Sequence, residues 1–102
     1  MESNLTARMR EVRKLLDDKG FSSEETRIWE LFTLTHSEIS EAADAYRKGQ
    51  DFRIVSEELM DGMIRILHLL SILSEDDPDE LFTRVMERSK SRPNLWNTFR
   101  GG

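Results

Sequence analysis

The apolar positions of the chain fall into four runs at helical spacing, parted by polar, glycine- or proline-bearing segments. Leu5, Met9, Val12, Leu15 and Leu16 mark the first run, and Gly20 is its C-terminal stop. "SSEE" (22–25) has the form of a helix start, with Glu25 placed to close a capping box on Ser22. The second helix is predicted from there to about Lys48, where "RKG" (47–49) supplies the cations and glycine that suit a helix C-terminus. Gln50 to Arg53 form a short polar connection, and the third helix runs from roughly Ile54 to Leu73. "SEDDPDE" (74–80) is a break, with Pro78 at the first position of a fourth helix and Asp77 as its N-cap. The fourth helix carries Leu81, Phe82, Val85 and Met86 and fades by Ser91. The pattern predicts an all-α chain, a small four-helix bundle formed by residues 1–93, followed by a C-terminal tail, 94–102, without helical period.

One residue breaks the pattern. Advancing each position of the second helix by about 100° puts Ile28, Leu31, Phe32, Leu34, Ile39, Ala42, Ala43, Ala45 and Tyr46 on one broad apolar arc. Glu38 lies inside that arc and Glu41 at its edge, while Glu30, Ser37, Asp44 and Lys48 lie outside it. A carboxylate in a core is costly unless it is paired or bound to metal. The third helix inverts the proportions. It is apolar around most of its circumference, through Val55, Leu59, Met60, Met63, Ile64, Ile66, Leu67, Leu70 and Leu73. A narrow polar stripe remains, with Glu58, Asp61, Arg65 and His68 on it. A helix this apolar calls for contact on several sides, and a partner subunit is one way to supply it.

The heights of the acids match. Glu41 lies ~10 Å below the end of the second helix, and Glu58 and Asp61 lie ~6 and ~10 Å above the start of the third, at ~1.5 Å per residue. A short antiparallel connection therefore lets Glu38 and Glu41 face Glu58 and Asp61. Within each helix the two acids share a face. Converging carboxylates resist ionisation without counter-charge, which a divalent cation supplies. All-oxygen ligands favour Mg²⁺ or Mn²⁺ over zinc. A di-iron site uses Glu-x-x-His pairs, and neither His36 nor His68 stands in that relation to a glutamate. A plainer reading stays open. In a chain that is 34% charged, acidic pairs such as Asp76/Asp79 and Asp77/Glu80 arise by composition. Asp61 and Arg65 would then be a surface ion pair, and the polar stripe the wet side of its helix.

Composition narrows the class. The 102 residues suit one small domain, for which assembly is an additional source of stability. No cysteine is present, so disulfides and thiolate chemistry are excluded and a cytoplasmic location is expected. The charged N-terminus is unlike a signal peptide, and "MIRILHLLSIL", with Arg65 and His68 in it, is too short to span a bilayer. No membrane partner is expected. A net charge of −5 argues against a nucleic-acid polymer as partner, yet leaves room for a phosphorylated substrate bridged by metal.

Taken together, Glu38-Ile-Ser-Glu41 (ExxE) and Glu58-Leu-Met-Asp61 (ExxD), within "EISEAADAYRKG" and "EELMDGMIRILHLLSIL", resemble the MazG-like all-α NTP pyrophosphohydrolase superfamily. "MERSKSRP" (86–93) resembles the basic element after that family's fourth helix, and the likeness runs from about Ile28 to Pro93. The resemblance implies a homodimer or homotetramer that hydrolyses a nucleoside triphosphate to a monophosphate and pyrophosphate with Mg²⁺. It implies Glu38, Glu41, Glu58 and Asp61 as metal ligands, with Glu38 or Glu41 also acting on the attacking water. Lys90 and Arg92, and more weakly Arg65, are the phosphate candidates it implies. The chain departs from the family pattern at Ser89, commonly asparagine there, and at Asn94–Asn97, "NLWN", where many relatives carry His-Gly after Arg-Pro. Trp29 is a candidate for stacking on a base, against packing as the commoner role of such a residue. Trp96 and Phe99 in the tail are candidates for docking on a partner or covering the site. Two other readings remain: a non-catalytic helical interaction module, and a relative acting on a phosphoribosyl nucleotide.

Overall fold

The computed structural model describes residues 4–20 and 27–92. They form four helices, α1 (Leu5–Asp18), α2 (Ile28–Arg47), α3 (Phe52–Leu73) and α4 (Pro78–Lys90), and no strand occurs among them. The described residues are thus an all-α helical bundle, as the pattern predicts, and no described helix is long and apolar enough to cross a membrane.

The helix ends follow their local chemistry. Asn4 caps α1 by accepting from the Ala7 N–H at 2.8 Å, and Gly20 closes it at φ +86°. Gly49, at φ +75°, ends α2 in a Schellman motif: its N–H donates to Tyr46 O and that of Gln50 to Ala45 O, both at 3.0 Å. Asp51 caps α3 by accepting from the Arg53 N–H at 2.8 Å, so α3 starts at Phe52, earlier than the hydrophobic pattern implies. Asp77 and Pro78 open α4 as predicted. The proposed capping box at Ser22–Glu25 lies outside the described residues, as do Trp96 and Phe99.

α3 is the central element, packed on α1 along one side and on α2 along another. Val12 and Leu16 of α1 meet Leu67 of α3, with Leu5, Met9, Ile64 and Leu70 around them. Leu31, Ala42 and Ala45 are the buried residues of α2. The apolar arc of α2 is wider than the surface the chain covers, since Phe32, Ile39, Ala43 and Tyr46 are exposed. Leu59, Met60, Met63 and Ile66 of α3 are exposed as well.

The polar stripe of α3 is wet only in part: Asp61 is exposed, Glu58 and Arg65 are intermediate, and His68 is buried. His68 is the most buried side chain described, with 1% of its surface accessible. Burial holds its imidazole below the ordinary value of 6.5, and the nearby charge of Arg13 acts the same way.

α4 is held to α1 by a latch of side chains. One Asp79 carboxylate oxygen accepts from the Leu5 N–H at 3.1 Å, and the other from the Thr6 N–H at 3.2 Å and the Thr6 hydroxyl at 2.7 Å. Asp79 thereby satisfies the open N–H groups at the start of another helix. Its carboxyl lies below the ordinary 3.8, first through the Thr6 hydroxyl bond and then through the backbone bonds. A depressed carboxyl stabilises the fold above its unfolded value and stops doing so as pH falls through its folded one. Asp79→Ala will therefore lower the melting temperature at pH 7 and loosen α4, with the gap to wild type narrowing as pH falls below the ordinary 3.8 and through the depressed value of the folded protein. Thermal unfolding with amide exchange of α4 reads this, and an equal loss at every pH would refute the latch.

Candidate metal centre

α2 and α3 approach closely because α3 has a glycine at the crossing. A Cβ at Gly62 would lie 2.7 Å from Ile39 Cδ1 and 3.8 Å from Glu38 Cβ. A methyl group there would turn the tip of Ile39 aside and meet Glu38 at ordinary contact distance, so Glu38 lies directly beside Gly62 and its neighbour Asp61.

This packing brings the acids together. One carboxylate oxygen each from Glu38, Glu58 and Asp61 lies within 4.8 Å of the others. Glu41, one turn along α2 from Glu38, faces Glu58. The Glu58 carboxyl is held above the ordinary 4.5, first by its hydrogen-bonding contact with the Glu41 carboxyl. Burial pushes it the same way, as do the charges of Glu41, Asp61 and Glu38. Its Oε2 is buried and accepts no hydrogen bond. A buried carboxylate oxygen without a donor, set among other carboxylates, is an arrangement that a cation completes. The hard oxygen donors fit Mg²⁺ or Mn²⁺.

Arg65 reaches the same group from one turn further along α3. Its Nε lies 3.7 Å from Glu38 Oε2, and the two side chains are 19% and 20% exposed. Arg65 thus pairs across the helix interface, at a largely buried site. Asp44 stands apart: Lys48 at 2.9 Å and Arg47 already balance its charge and hold its carboxyl below 3.8. Beside it a shallow pocket of about 190 Å³, lined by Glu41, Asp44, Ala45, Gln50, Ile54 and Glu58, opens the carboxylates to solvent.

The other candidates stand elsewhere. Lys90 pairs with Glu87 of its own helix at 3.5 Å, and Arg92 lies exposed just past the end of α4. Neither of these contacts reaches α2 or α3. Trp29 is 77% exposed at the start of α2, its ring 5.7 Å from that of Phe32. Along α2 it lies ~13 Å from Glu38, at ~1.5 Å per residue. His36 is exposed. Gly62 is a residue the sequence pattern did not single out, although an interior glycine in a strongly helical run is a sign of close packing.

Fold and site define a class: an all-α protein with a three-carboxylate cluster built across one antiparallel helix pair. Comparison with known proteins carries this no further, as no protein-family model matches the chain and no curated protein or solved structure is significantly similar to it.

Proposed function

We propose that the protein is a Mg²⁺-dependent nucleotide pyrophosphohydrolase, cleaving a nucleoside triphosphate to the monophosphate and pyrophosphate. The observation that carries this reading is that carboxylate oxygens of Glu38, Glu58 and Asp61 lie within 4.8 Å of one another, with a buried Glu58 oxygen left without a donor. The MazG-like resemblance of the ExxE and ExxD motifs supplies the reaction class.

In this reading Glu38, Glu58 and Asp61 hold the cation, whose chemistry is to offset phosphate charge and acidify bound water. Glu41 belongs to the same ligand set in the family pattern. It faces Glu58 but lies outside the closest group of three, next to the solvent-open pocket. It is therefore the helix-two glutamate best placed to orient the attacking water and accept its proton. Water adds at the α-phosphorus, the bond to the bridging oxygen breaks, and pyrophosphate departs with the bonding electrons. Arg65, already beside Glu38, is the phosphate-binding cation nearest the cluster. Lys90, Arg92 and Trp29 would have to act from a neighbouring subunit, or on parts of the substrate remote from the reacting phosphate.

The experiment is a panel of ribo-, deoxyribo- and modified nucleoside triphosphates, with phosphoribosyl nucleotides included, incubated with Mg²⁺ and resolved by ³¹P NMR. Pyrophosphate with monophosphate supports the proposal; orthophosphate alone, or no turnover of any substrate, sinks it.

The exposed apolar surface supports assembly in the same reading. Leu5, Leu15, Met60, Met63 and Ile64 help line an open groove of about 640 Å³ between α1 and α3. We propose a homodimer or homotetramer that covers this face. Sedimentation equilibrium will show a mass of two or four chains, reduced by Met63→Glu. A wild-type monomer at tens of micromolar would remove this part of the proposal. The same surface favours the second reading, a non-catalytic interaction module, in which assembly persists and no nucleotide is turned over.

A further inference from the structure

The pairing of Arg65 with Glu38 bears on how the carboxylate cluster is kept intact before any cation arrives. Glu38, Glu58 and Asp61 converge, and Glu41 adds its carboxyl against Glu58. Four acids so close repel one another and weaken the helix pair that carries them. Among the described residues, the ion pair that reaches this group is the one from Arg65. Arg65 lies one turn beyond Asp61 on α3, so its position is set by the same register that sets the site. Both side chains of the pair are about four-fifths buried, which raises the weight of the charge contact over that of a surface pair.

The distance carries further information. At 3.7 Å the contact is longer than a charge-assisted hydrogen bond, which closes to about 2.7–2.9 Å. The guanidinium therefore acts on Glu38 mainly through its charge. Such a contact gives way to a stronger cation without a well-formed hydrogen bond to break. Glu38 is at once the partner of Arg65 and one of the three converging ligands.

We propose that Arg65 is a resident counter-cation of the carboxylate site: it partly neutralises Glu38 in the metal-free protein and competes with the divalent ion for that carboxylate. The inference rests on the metal-site reading above and adds the regulation of that site's affinity. Arg65 is in this sense a positioning residue. It lowers the cost of gathering the acids, and in exchange it sets an upper limit on how tightly the ion is held. A site tuned in this way releases its ion readily, which suits an ion that arrives and leaves with a phosphorylated ligand.

The test is calorimetric titration of Mn²⁺ and of Mg²⁺ into wild type, Arg65→Met and Arg65→Lys, each also melted in chelator. Even at the dielectric constant of water, ~80, removing a unit charge ~6 Å from a divalent ion tightens binding about tenfold. Arg65→Met should therefore bind Mn²⁺ about tenfold more tightly than wild type while melting lower in chelator, so its metal-induced shift is the larger. Arg65→Lys, which keeps the charge, should bind within about threefold of wild type. Should Arg65→Met not fold, Arg65→Gln provides the same comparison. Tighter binding in the uncharged variant alone supports the proposal, including the case in which wild type binds too weakly to measure. Equal or weaker binding in that variant, with wild type binding normally, overturns the counter-cation and leaves the metal site standing. Binding by neither protein overturns both.

Discussion

Glu38→Gln leaves the helices folded and lowers pyrophosphate release by ~10²-fold or more, the scale of removing a positioned catalytic group. Glutamine matches glutamate in shape, so the largely buried place beside Gly62 and Arg65 stays filled. What it removes is a negative charge and an anionic ligand oxygen from the group formed with Glu58 and Asp61. The helix pair should not suffer greatly, since Leu31, Ala42 and Ala45 supply its buried apolar contacts and the lost charge also relieves repulsion. The loss should appear in kcat/KM across Mg²⁺ concentrations, with helical circular dichroism unchanged. A variant with wild-type turnover would show that the cluster is not where the reaction occurs.

Glu58→Gln is expected to reverse sign with conditions. The Glu58 carboxyl lies above 4.5, raised first by its contact with Glu41. A raised carboxyl means that the folded protein binds this proton more readily than the unfolded chain does. Stability therefore falls as pH climbs through the window that starts near 4.5, and at neutral pH the charged Glu58 weakens the metal-free fold. In chelator at pH 7.5, Glu58→Gln should melt above wild type, and the difference should shrink as pH falls toward 4.5. With Mg²⁺ at a hundredfold over its Kd the order should invert. Wild type gains ~2.7 kcal/mol by linkage, or ~10–20 °C for a domain near this size. The glutamine variant gains little, because its side chain offers the cation no charged oxygen. A variant less stable than wild type in chelator would mean that Glu58 is a structural hydrogen-bonding residue and not a strained ligand.

Much of this arrangement was legible in the sequence because it depends on local rules. The stops at Gly20 and Gly49 and the start at Asp77–Pro78 come from chemistry confined to a few neighbouring residues. Glu38 stood out because it interrupts a helical period, and its match with Asp61 follows from rise per residue and a short connection. What stayed hidden depends on contacts between distant segments. Asp79 caps α1 from 74 positions away, and no local pattern records that. His68 shares a stripe with Glu58 and Asp61, yet it is buried where α1 packs, while Asp61 is exposed. Arg65 is spaced for Asp61 by sequence, but the closeness allowed by Gly62 brings it to Glu38. The arc of α2 shows a further limit. Periodicity gives the direction of an apolar face but not whether the same chain covers it, and Phe32 and Tyr46 remain exposed. Lys90 and Arg92 were drawn from resemblance alone, and the contacts described for them lie within and just beyond α4.

The central claim is that Glu38, Glu58 and Asp61 form a divalent-cation site, and direct binding of Mn²⁺ tests it most closely. Electron paramagnetic resonance of Mn²⁺ titrated into the purified protein at pH 7.5 reads the loss of the free-ion signal. The account predicts saturable loss of that signal, reversed by excess Mg²⁺ and abolished in Asp61→Asn. A free-ion signal undiminished at millimolar protein and Mn²⁺, or one equally diminished in Asp61→Asn, would contradict it.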